Sequence, residues 1–458
     1  MSTHESAVPG SGADRVGARG SFLGSMGISL IGTATLLLVS VATGVIAARE
    51  LNPAGRGIFA GALVFVQLTS WITGSGIGTS VSYALAKGEH DRRQCLTTGL
   101  ATSFGLGLLG SLVGYVLLLT ALRGESAGVR DLSLEFLLSL PVLSLSDTAS
   151  NAMNAVGAYR LNAVLRPLQG VLYLVFIVAG VVYGLTPFLA MLAYAASVFA
   201  TTVISLVWLV RRVGLGRVRA RIAREQTAYC LRVFPTVVTG LSNSHLDMLL
   251  LPSFVANADL GYYSVATTVS FVIYTVLSQM GPLLLPEAVR RKETGGVLLA
   301  QSMRMSVLVS AAGALVLGLV AGTLVRVAYG ANYAAAVPPL RILLPGIVCL
   351  AMLQVVFTGL MARNRPGLTS VASTAGLLVT LPGLALFLPH FGITAAATVS
   401  TVAYAASLGC GLWLLRRVDP AVLSGVFSPG AYLRDVYVMR GRVGAVAATY
   451  LRRRPATR

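Results

Sequence analysis

Polar and ionisable side chains recur on one face of the apolar segment that ends near residue 253. At about 100° per residue, five of them fall within an arc of about 80°, namely Arg232, Thr236, Thr239, Asn243 and Asp247. An ionised side chain at the centre of a bilayer costs at least about 2.5–3.5 kcal/mol. The stripe therefore indicates a helix that faces a watery cavity or a polar partner.

A second polar stripe lies in the segment around residue 150, where four side chains share one helix face, namely Ser144, Asp147, Asn151 and Asn154. The two acids, Asp147 and Asp247, allow two interpretations. They hold helices together through an arginine or a backbone dipole, or they take a direct part in the passage of a substrate or a coupling ion. On the second interpretation Asn151, Asn154 and Asn243 bind substrate beside them.

Three arginines lie a short way inside apolar segments. Arg232 and Arg304 stand near the starts of their segments and Arg341 stands near one end of its own. Each arginine lies about six residues inside its segment, which is a depth of roughly 9 Å. A side chain at this depth can extend back to the water at the membrane surface. As a set, the three guanidinium groups are predicted to line a path for a diphosphate, because their fork matches phosphate oxygens and keeps its charge.

Composition indicates a membrane protein. The 458 residues are 55% hydrophobic and 11% charged, whereas soluble domains carry about 25% charged residues. The apolar runs are long enough to span a bilayer and too uniformly apolar for barrel strands, which predicts an all-α polytopic fold. We expect about twelve transmembrane helices, at residues 22–48, 58–85, 95–122, 133–157, 164–183, 187–210, 227–253, 262–286, 298–325, 335–361, 367–388 and 391–415.

The arginines predict the orientation and the domain boundaries. Lys and Arg concentrate in alternate loops and in the tail, which predicts a multi-pass protein of the cytoplasmic (inner) membrane with both termini in the cytoplasm. The predicted organisation is a disordered N-terminus at 1–20, a six-helix bundle at 21–210, a basic linker at 211–226, a second six-helix bundle at 227–416 and a basic tail at 417–458.

Internal repeats relate the two bundles. The stretch GAYRLNAV (157–164) is echoed by LMARNRPG (360–367), and LVWLVRR (206–212) by GLWLLRR (411–417). The shift is about 203 to 205 residues. Because each half has an even number of helices, both halves enter the membrane from the same side. They are therefore expected to be parallel repeats around a central cleft.

Several functions are disfavoured. The four cysteines are scattered without a CxxC pair, which suggests neither a metal site nor a disulfide framework. Only two lysines are present, Lys87 and Lys292, and neither belongs to an ATP-binding loop. No cofactor is expected.

The loops are too short to carry a catalytic domain or a folded nucleic-acid-binding surface. Neither an enzyme nor a nucleic-acid partner is therefore expected, despite the net charge of +19.

Three stretches resemble a known family in order and spacing. They are RELNPAGRGIFA (49–60), LDMLLLPSFVANADLGYYSVATTVS (246–270) and YGANYAAAVPPLRILLPG (329–346). Together they resemble the polysaccharide exporters, of the O-antigen flippase type, of the multidrug/oligosaccharidyl-lipid/polysaccharide (MOP) superfamily. The resemblance implies a MATE-like fold that moves a polyprenyl-diphosphate-linked oligosaccharide across the membrane by alternating access. It implies a lipid-linked substrate, contact with membrane lipids, and glycan polymerase or glycosyltransferase partners.

Two other functions stay open. An ion-coupled multidrug exporter of the same superfamily usually keeps an acid in its first helix, and residues 21–48 contain none. A structural or enzymatic partner of a polymer machine is disfavoured by the short loops. Lipid II flippases of the superfamily typically have fourteen helices and arginines in the first two, and segments 22–48 and 58–85 contain no arginine. An exopolysaccharide or O-antigen-like substrate is therefore expected.

Overall fold

The computed structural model describes residues 12–88, 90–120, 126–278, 295–420 and 422, and these ranges form helices joined by short connections, without a β-strand. The helices are α1 Gly12–Lys87, α2 Arg92–Thr120, α3 Ala127–Phe136, α4 Leu140–Ala155, α5 Tyr159–Val182, α6 Pro187–Val213, α7 Ala220–Leu250, α8 Asn257–Ser278, α9 Gly295–Tyr329, α10 Val337–Ala362 and α11 Gly367–Val418. Short 3-10 turns follow α3, α7 and α9, at Leu137–Ser139, Leu251–Ser253 and Ala331–Ala336.

Two of the helices are interrupted by a single residue with positive φ. In α1 this residue is Asn52, with φ 58° and ψ 169°, and Pro53 follows it. A residue before proline is driven out of the helical region, and asparagine tolerates positive φ better than most residues. We call 12–51 and 53–87 the first and second arms of α1. In α11 the interruption is at Gly392, with φ 53°.

The helices coincide with the apolar segments expected from the sequence. Within the described ranges, nine helices are long and apolar enough to cross a membrane, and two of them contain the interruptions just described. Each of the predicted segments overlaps a helix. The number of twelve spans and the division into two repeats stay predictions.

The predicted boundaries differ from the structure in two places. Helix α1 begins at Gly12, because no proline interrupts residues 12–20 and the backbone hydrogen bonds of the apolar segment continue into them. The expected linker at 211–226 shortens to the non-helical residues 214–219, since α6 runs to Val213 and α7 begins at Ala220. Of the predicted tail, residues 423–458 lie outside the described residues.

The two halves of the chain, α1 to α6 and α7 to α11, meet closely where the turn at 52–57 contacts the turn at 257–261. A Cβ atom added to Gly57 would lie 1.8 Å from the carbonyl oxygen of Asn257. A Cβ atom added to Gly261 would lie 1.9 Å from the carbonyl oxygen of Pro53. Only glycine allows backbones to approach this closely. The contact is reciprocal, because each glycine meets the residue four positions before the other.

Hydrogen bonds from the first arm of α1 to the end of α9 reinforce this contact. The Arg49 guanidinium donates to the carbonyls of Ala328, at 2.7 Å, and Val327. The Tyr333 hydroxyl donates to the carbonyl of Ala48 at 2.6 Å. We call residues 48–57, 255–261 and 327–333 together the outer junction. A cation at the last carbonyls of a helix also complements its dipole.

A second junction joins the halves at the opposite end of the second arm of α1. The rings of Tyr83 and Tyr229 stack with centroids 5.2 Å apart, and His90 Nε2 lies 2.8 Å from a carboxylate oxygen of Glu225. This hydrogen bond with His90, helped by Arg221, lowers the pKa of Glu225 from its ordinary value. We call residues 76–98 and 214–232 the inner junction, and its side of the protein the inner side.

Candidate functional site

Two adjoining cavities run between the first arm of α1 and α5. Their volumes are about 580 Å³ and 510 Å³, and both are lined by Leu36, Ser40 and Arg166. We call the two cavities together the central cleft. Helix α8 adds Thr268 and Thr275 to the lining. Both halves of the chain therefore form the wall of the cleft.

Helix α5 presents a polar stripe to the cleft. Asn162, Arg166, Gln169 and Tyr173 follow one another at spacings of three and four residues, which places them on one helix face, and all four line the cleft. The sequence expectation began this helix at residue 164, whereas α5 begins at Tyr159. Arg166 stood only two residues inside the predicted segment and was not singled out as a site residue, although the polar spacing of the stripe could have identified it.

Two arginines face the same cavity of the cleft. Arg166 projects from α5, and Arg56 projects from the start of the second arm of α1. Arg56 is only 8% exposed, its guanidinium lies 5.4 Å from the centre of the Phe59 ring, and its Nε has no hydrogen-bond partner among the described residues. A buried guanidinium with an unused donor favours an anionic ligand.

A third, more polar cavity of about 210 Å³ opens beside the cleft and shares Asn162, Arg166 and Gln169 with it. Asp147 lines this cavity. Its Oδ2 is buried without a hydrogen-bond partner within the described part of the chain, and a Cβ atom on Gly78 would come within 2.7 Å of it. Glycine at position 78 thus leaves room for the carboxylate.

The other members of the helix-four stripe have different surroundings. Asn154 lines the central cleft and accepts a hydrogen bond of 2.9 Å from the Asn162 amide. The Asn151 amide donates to the main-chain carbonyl of Asp147 at 2.9 Å, and Asn151 is not part of the described lining of the central cleft or of the polar cavity. The stripe therefore reaches the cleft through Asn154 and the polar cavity through Asp147.

Asp247 lines neither cavity of the central cleft. Its side chain is 5% exposed and accepts hydrogen bonds from the Tyr263 hydroxyl on α8, the Ser400 hydroxyl on α11 at 2.9 Å, and the amide of Met248 at 2.8 Å. Donors from two neighbouring helices thus surround the carboxylate. This arrangement favours the interpretation in which the acid holds helices together. The side chains of Asn243, His245, Thr236 and Thr239 lie outside the described residues.

The three arginines expected to act as a set have different described surroundings. Arg232 lines a pocket at the inner junction. Arg304 is buried in α9, with 6% of its surface exposed. The exposed Arg341 donates to the carbonyl of Gly318 across the contact of α9 with α10, at 3.1 Å. The position of an arginine along its segment gives its depth but not its neighbours, so the sequence could not show whether the three side chains meet. Their role in substrate binding stays a prediction.

Replacing Tyr263 by phenylalanine is expected to destabilise the protein, because Asp247 loses a donor while it remains buried. The cost of an unsatisfied buried polar group is about 1–3 kcal/mol. The measurement is the thermal unfolding midpoint in detergent. Tyr262→Phe is the control, since its ring packs against Tyr333 and its hydroxyl makes no described hydrogen bond. Equal midpoints for the two variants would contradict the assignment.

Comparison with protein families decides the affiliation of the chain. A family described as polysaccharide biosynthesis protein matches residues 24–287, which is more than half of the 458 residues. The chain belongs to this family. No curated protein matches this polysaccharide biosynthesis family member. The family affiliation expected from the sequence is confirmed.

Solved structures of MOP superfamily proteins share the fold of this polysaccharide biosynthesis family member. One is lipid II flippase MurJ in an inward closed conformation, with a TM-score of 0.74, 12% identity, and coverage of 93% of this chain and 98% of that chain. Another is a multidrug resistance MATE family transporter in an inward-facing conformation, with a TM-score of 0.68, 14% identity, and coverage of 86% and 98%. A third is a MOP superfamily transporter from Pyrococcus furiosus, with a TM-score of 0.62, 16% identity, and coverage of 87% and 95%.

These likenesses confirm an all-helical membrane fold of the MOP type for this family member. The expectation that neither of its first two helices carries an arginine needs correction, because Arg56 lies inside the second arm of α1 and lines the cleft. Residues 49–57 were assigned to a loop between two predicted segments. In the structure the helix resumes at Pro53, and proline suits the first turn of a helix. The arginines of the first two helices therefore no longer distinguish this chain from the lipid II flippases.

Proposed function

We propose that the protein is a flippase that moves a polyprenyl-diphosphate-linked oligosaccharide across the membrane by alternating access, for cell-surface polysaccharide biosynthesis. One observation carries the proposal: Arg56 and Arg166 line the same cavity of the central cleft. Two guanidinium groups supply the planar, paired donors that suit a diphosphate. In this cavity no acidic side chain opposes them.

The remaining lining suits a sugar. Gln169, Tyr194 and Ser197 offer amide and hydroxyl groups on one wall, and such groups exchange hydrogen bonds with sugar hydroxyls. A volume of about 510 Å³ for this cavity falls within the range of about 300–1,000 Å³ typical of small-ligand sites. The prenyl tail remains in the bilayer, where its transfer to water is unfavourable.

Asp147 is the proposed coupling acid, and Asp247 becomes a link between helices. The carboxylate of Asp147 lines a polar cavity together with Arg166. A proton or sodium ion that arrives at Asp147 changes the field at Arg166 and therefore its affinity for an anion. Binding of the coupling ion at Asp147 therefore changes the affinity of Arg166 for the diphosphate.

The alternative of a multidrug exporter receives less support. Cationic drugs are favoured by negative charge in the cleft, whereas the described lining carries Arg56 and Arg166 and no carboxylate, and its aromatic residues accompany these two cations. We further propose that the inner side faces the cytoplasm, as the loop arginines indicate, and that glycosyltransferases or a glycan polymerase act with the protein.

The function is tested in proteoliposomes with a fluorescent polyprenyl-diphosphate oligosaccharide. We expect the protein to carry the label from one leaflet to the other, where a membrane-impermeant quencher reads its position, faster than in protein-free liposomes. Ethidium efflux is measured in parallel. Ethidium transport without translocation of the lipid-linked sugar would overturn the proposal in favour of the drug exporter.

Replacing Asp147 by asparagine is expected to remove the dependence of this transport on an imposed proton or sodium gradient, because the neutral amide binds neither ion in place of the carboxylate. The measurement compares initial rates with and without the gradient. Asp131→Asn serves as control, since Asp131 is exposed beside Arg130. An unchanged gradient response in the Asp147 variant would exclude it as the coupling acid.

A further inference from the structure

A separate pocket of about 380 Å³ lies at the inner junction, away from the central cleft. One wall is the end of the second arm of α1, with Ser80, Tyr83 and Lys87, and His90 follows it. The other wall is the first turns of α7, from Arg221 to Arg232. We call it the inner pocket. Because its two walls belong to the two halves, a ligand in it contacts both halves at once.

Positive charge dominates the lining of the inner pocket. Lys87, Arg221 and Arg232 are cationic, and Glu225 is the one acidic residue in the lining. Glu225 is already engaged, by Arg221 Nε at 3.0 Å and by His90 at 2.8 Å. Arg232 is exposed and forms no ion pair within the described residues. The pocket therefore presents an unneutralised guanidinium, which suits a phosphate group.

Two further features of the lining suit a hydroxyl-bearing ring. The stacked pair of Tyr83 and Tyr229 borders the pocket, and Tyr83 is 52% exposed. One face of the Tyr83 ring stacks on Tyr229 and Lys87 Nζ lies 5.9 Å from the ring centre, so the exposed ring edge and hydroxyl remain for contact with a sugar ring. Gln226 is a buried residue of the same lining, and its Oε1 has no donor among the described residues. A buried acceptor of this kind is satisfied by a ligand hydroxyl.

We propose that the inner pocket is a second binding site, specific for a phosphorylated sugar, that bridges the two halves at the inner side. Arg232 holds the phosphate, the tyrosine pair contacts the ring, and Gln226 accepts from a hydroxyl. The ligand comes either from a soluble sugar phosphate or from the sugar-phosphate end of a lipid-linked molecule. The site does not depend on the role proposed for the central cleft.

The full-length protein in nanodiscs of zwitterionic lipid is titrated by calorimetry with glucose 1-phosphate, glucose and inorganic phosphate. We expect glucose 1-phosphate to bind more tightly than either part alone. Arg232→Gln is expected to weaken its binding by about tenfold or more, as the loss of a charge-assisted hydrogen bond requires. Arg217→Gln, an exposed change in the nearby linker outside the pocket, is expected to leave binding unchanged.

The same titration with the Arg56→Gln/Arg166→Gln variant separates this site from the central cleft. Retained binding that Arg232→Gln then removes supports the inner pocket. Binding that is absent in the parent, insensitive to Arg232→Gln, or lost only with the two cleft arginines overturns it, whatever the transport assay shows. A polyprenyl-phosphate hexose is then added to the nanodiscs to distinguish the two sources. If it competes with glucose 1-phosphate for binding, the ligand is the sugar-phosphate end of a lipid-linked molecule. If it does not compete, the ligand is the soluble sugar phosphate.

Discussion

Gly57→Ala is expected to prevent the outer junction from closing. The added methyl group would lie 1.8 Å from the carbonyl oxygen of Asn257 and 2.9 Å from the amide nitrogen of Gly261. Both neighbours are backbone atoms, so no side chain can rotate away and the two turns must separate. Overpacking of this kind costs about 1–3 kcal/mol or more. Gly261→Ala meets the carbonyl oxygen of Pro53 at 1.9 Å, and the same effect is expected.

Accessibility of the outer junction measures this effect. In a background without native cysteines, Ala48→Cys is expected to resist a membrane-impermeant maleimide in the parent, where Ala48 is fully buried, and to react once Gly57 is alanine. Gly105→Ala is the matched control, because the space around Gly105 in α2 is open. If Gly57→Ala leaves both labelling and thermal stability at parental levels, the junction does not require this glycine contact.

Arg166→Gln is expected to reduce translocation of the lipid-linked sugar strongly. Arg166 lies where the central cleft and the polar cavity adjoin, so its loss removes both a diphosphate contact and the link to Asp147. A charge-assisted hydrogen bond contributes about 1.5–3 kcal/mol, which corresponds to roughly 10- to 100-fold in rate or affinity. Arg166→Lys restores the charge without the planar fork, so partial recovery is expected.

Initial translocation rates in proteoliposomes at equal protein content provide the measurement. Arg160→Gln is the matched control, since Arg160 lies on the same helix, is exposed, and is not part of the described lining of the central cleft or of the polar cavity. Parental rates for both variants would exclude Arg166 from the substrate path. A loss shared equally by both would indicate a general effect of charge near the start of α5 instead.

Residue order and composition predicted the membrane environment, the positions of the helices and the family. These properties are local or additive: about 20 apolar residues suffice for a span, and the stretches that carry the family resemblance are contiguous. Errors arose at helix ends, where the sequence signal is weakest. Arg56 lies in the first turn of the second arm of α1, in a stretch assigned to a loop, and Arg166 lies seven residues after the start of α5, only two residues inside the predicted segment.

The sequence by itself therefore determined that polar stripes run along otherwise apolar helices, because a helical period places residues on one face without any neighbour. Only the tertiary structure decided what each stripe meets. Asp247 finds its donor Ser400 at a separation of 153 positions, and Arg56 reaches the cavity of Arg166 from a different helix. Helix pairing depends on the packing of distant segments, so one acid became enclosed and two unnoticed arginines came to line the cleft.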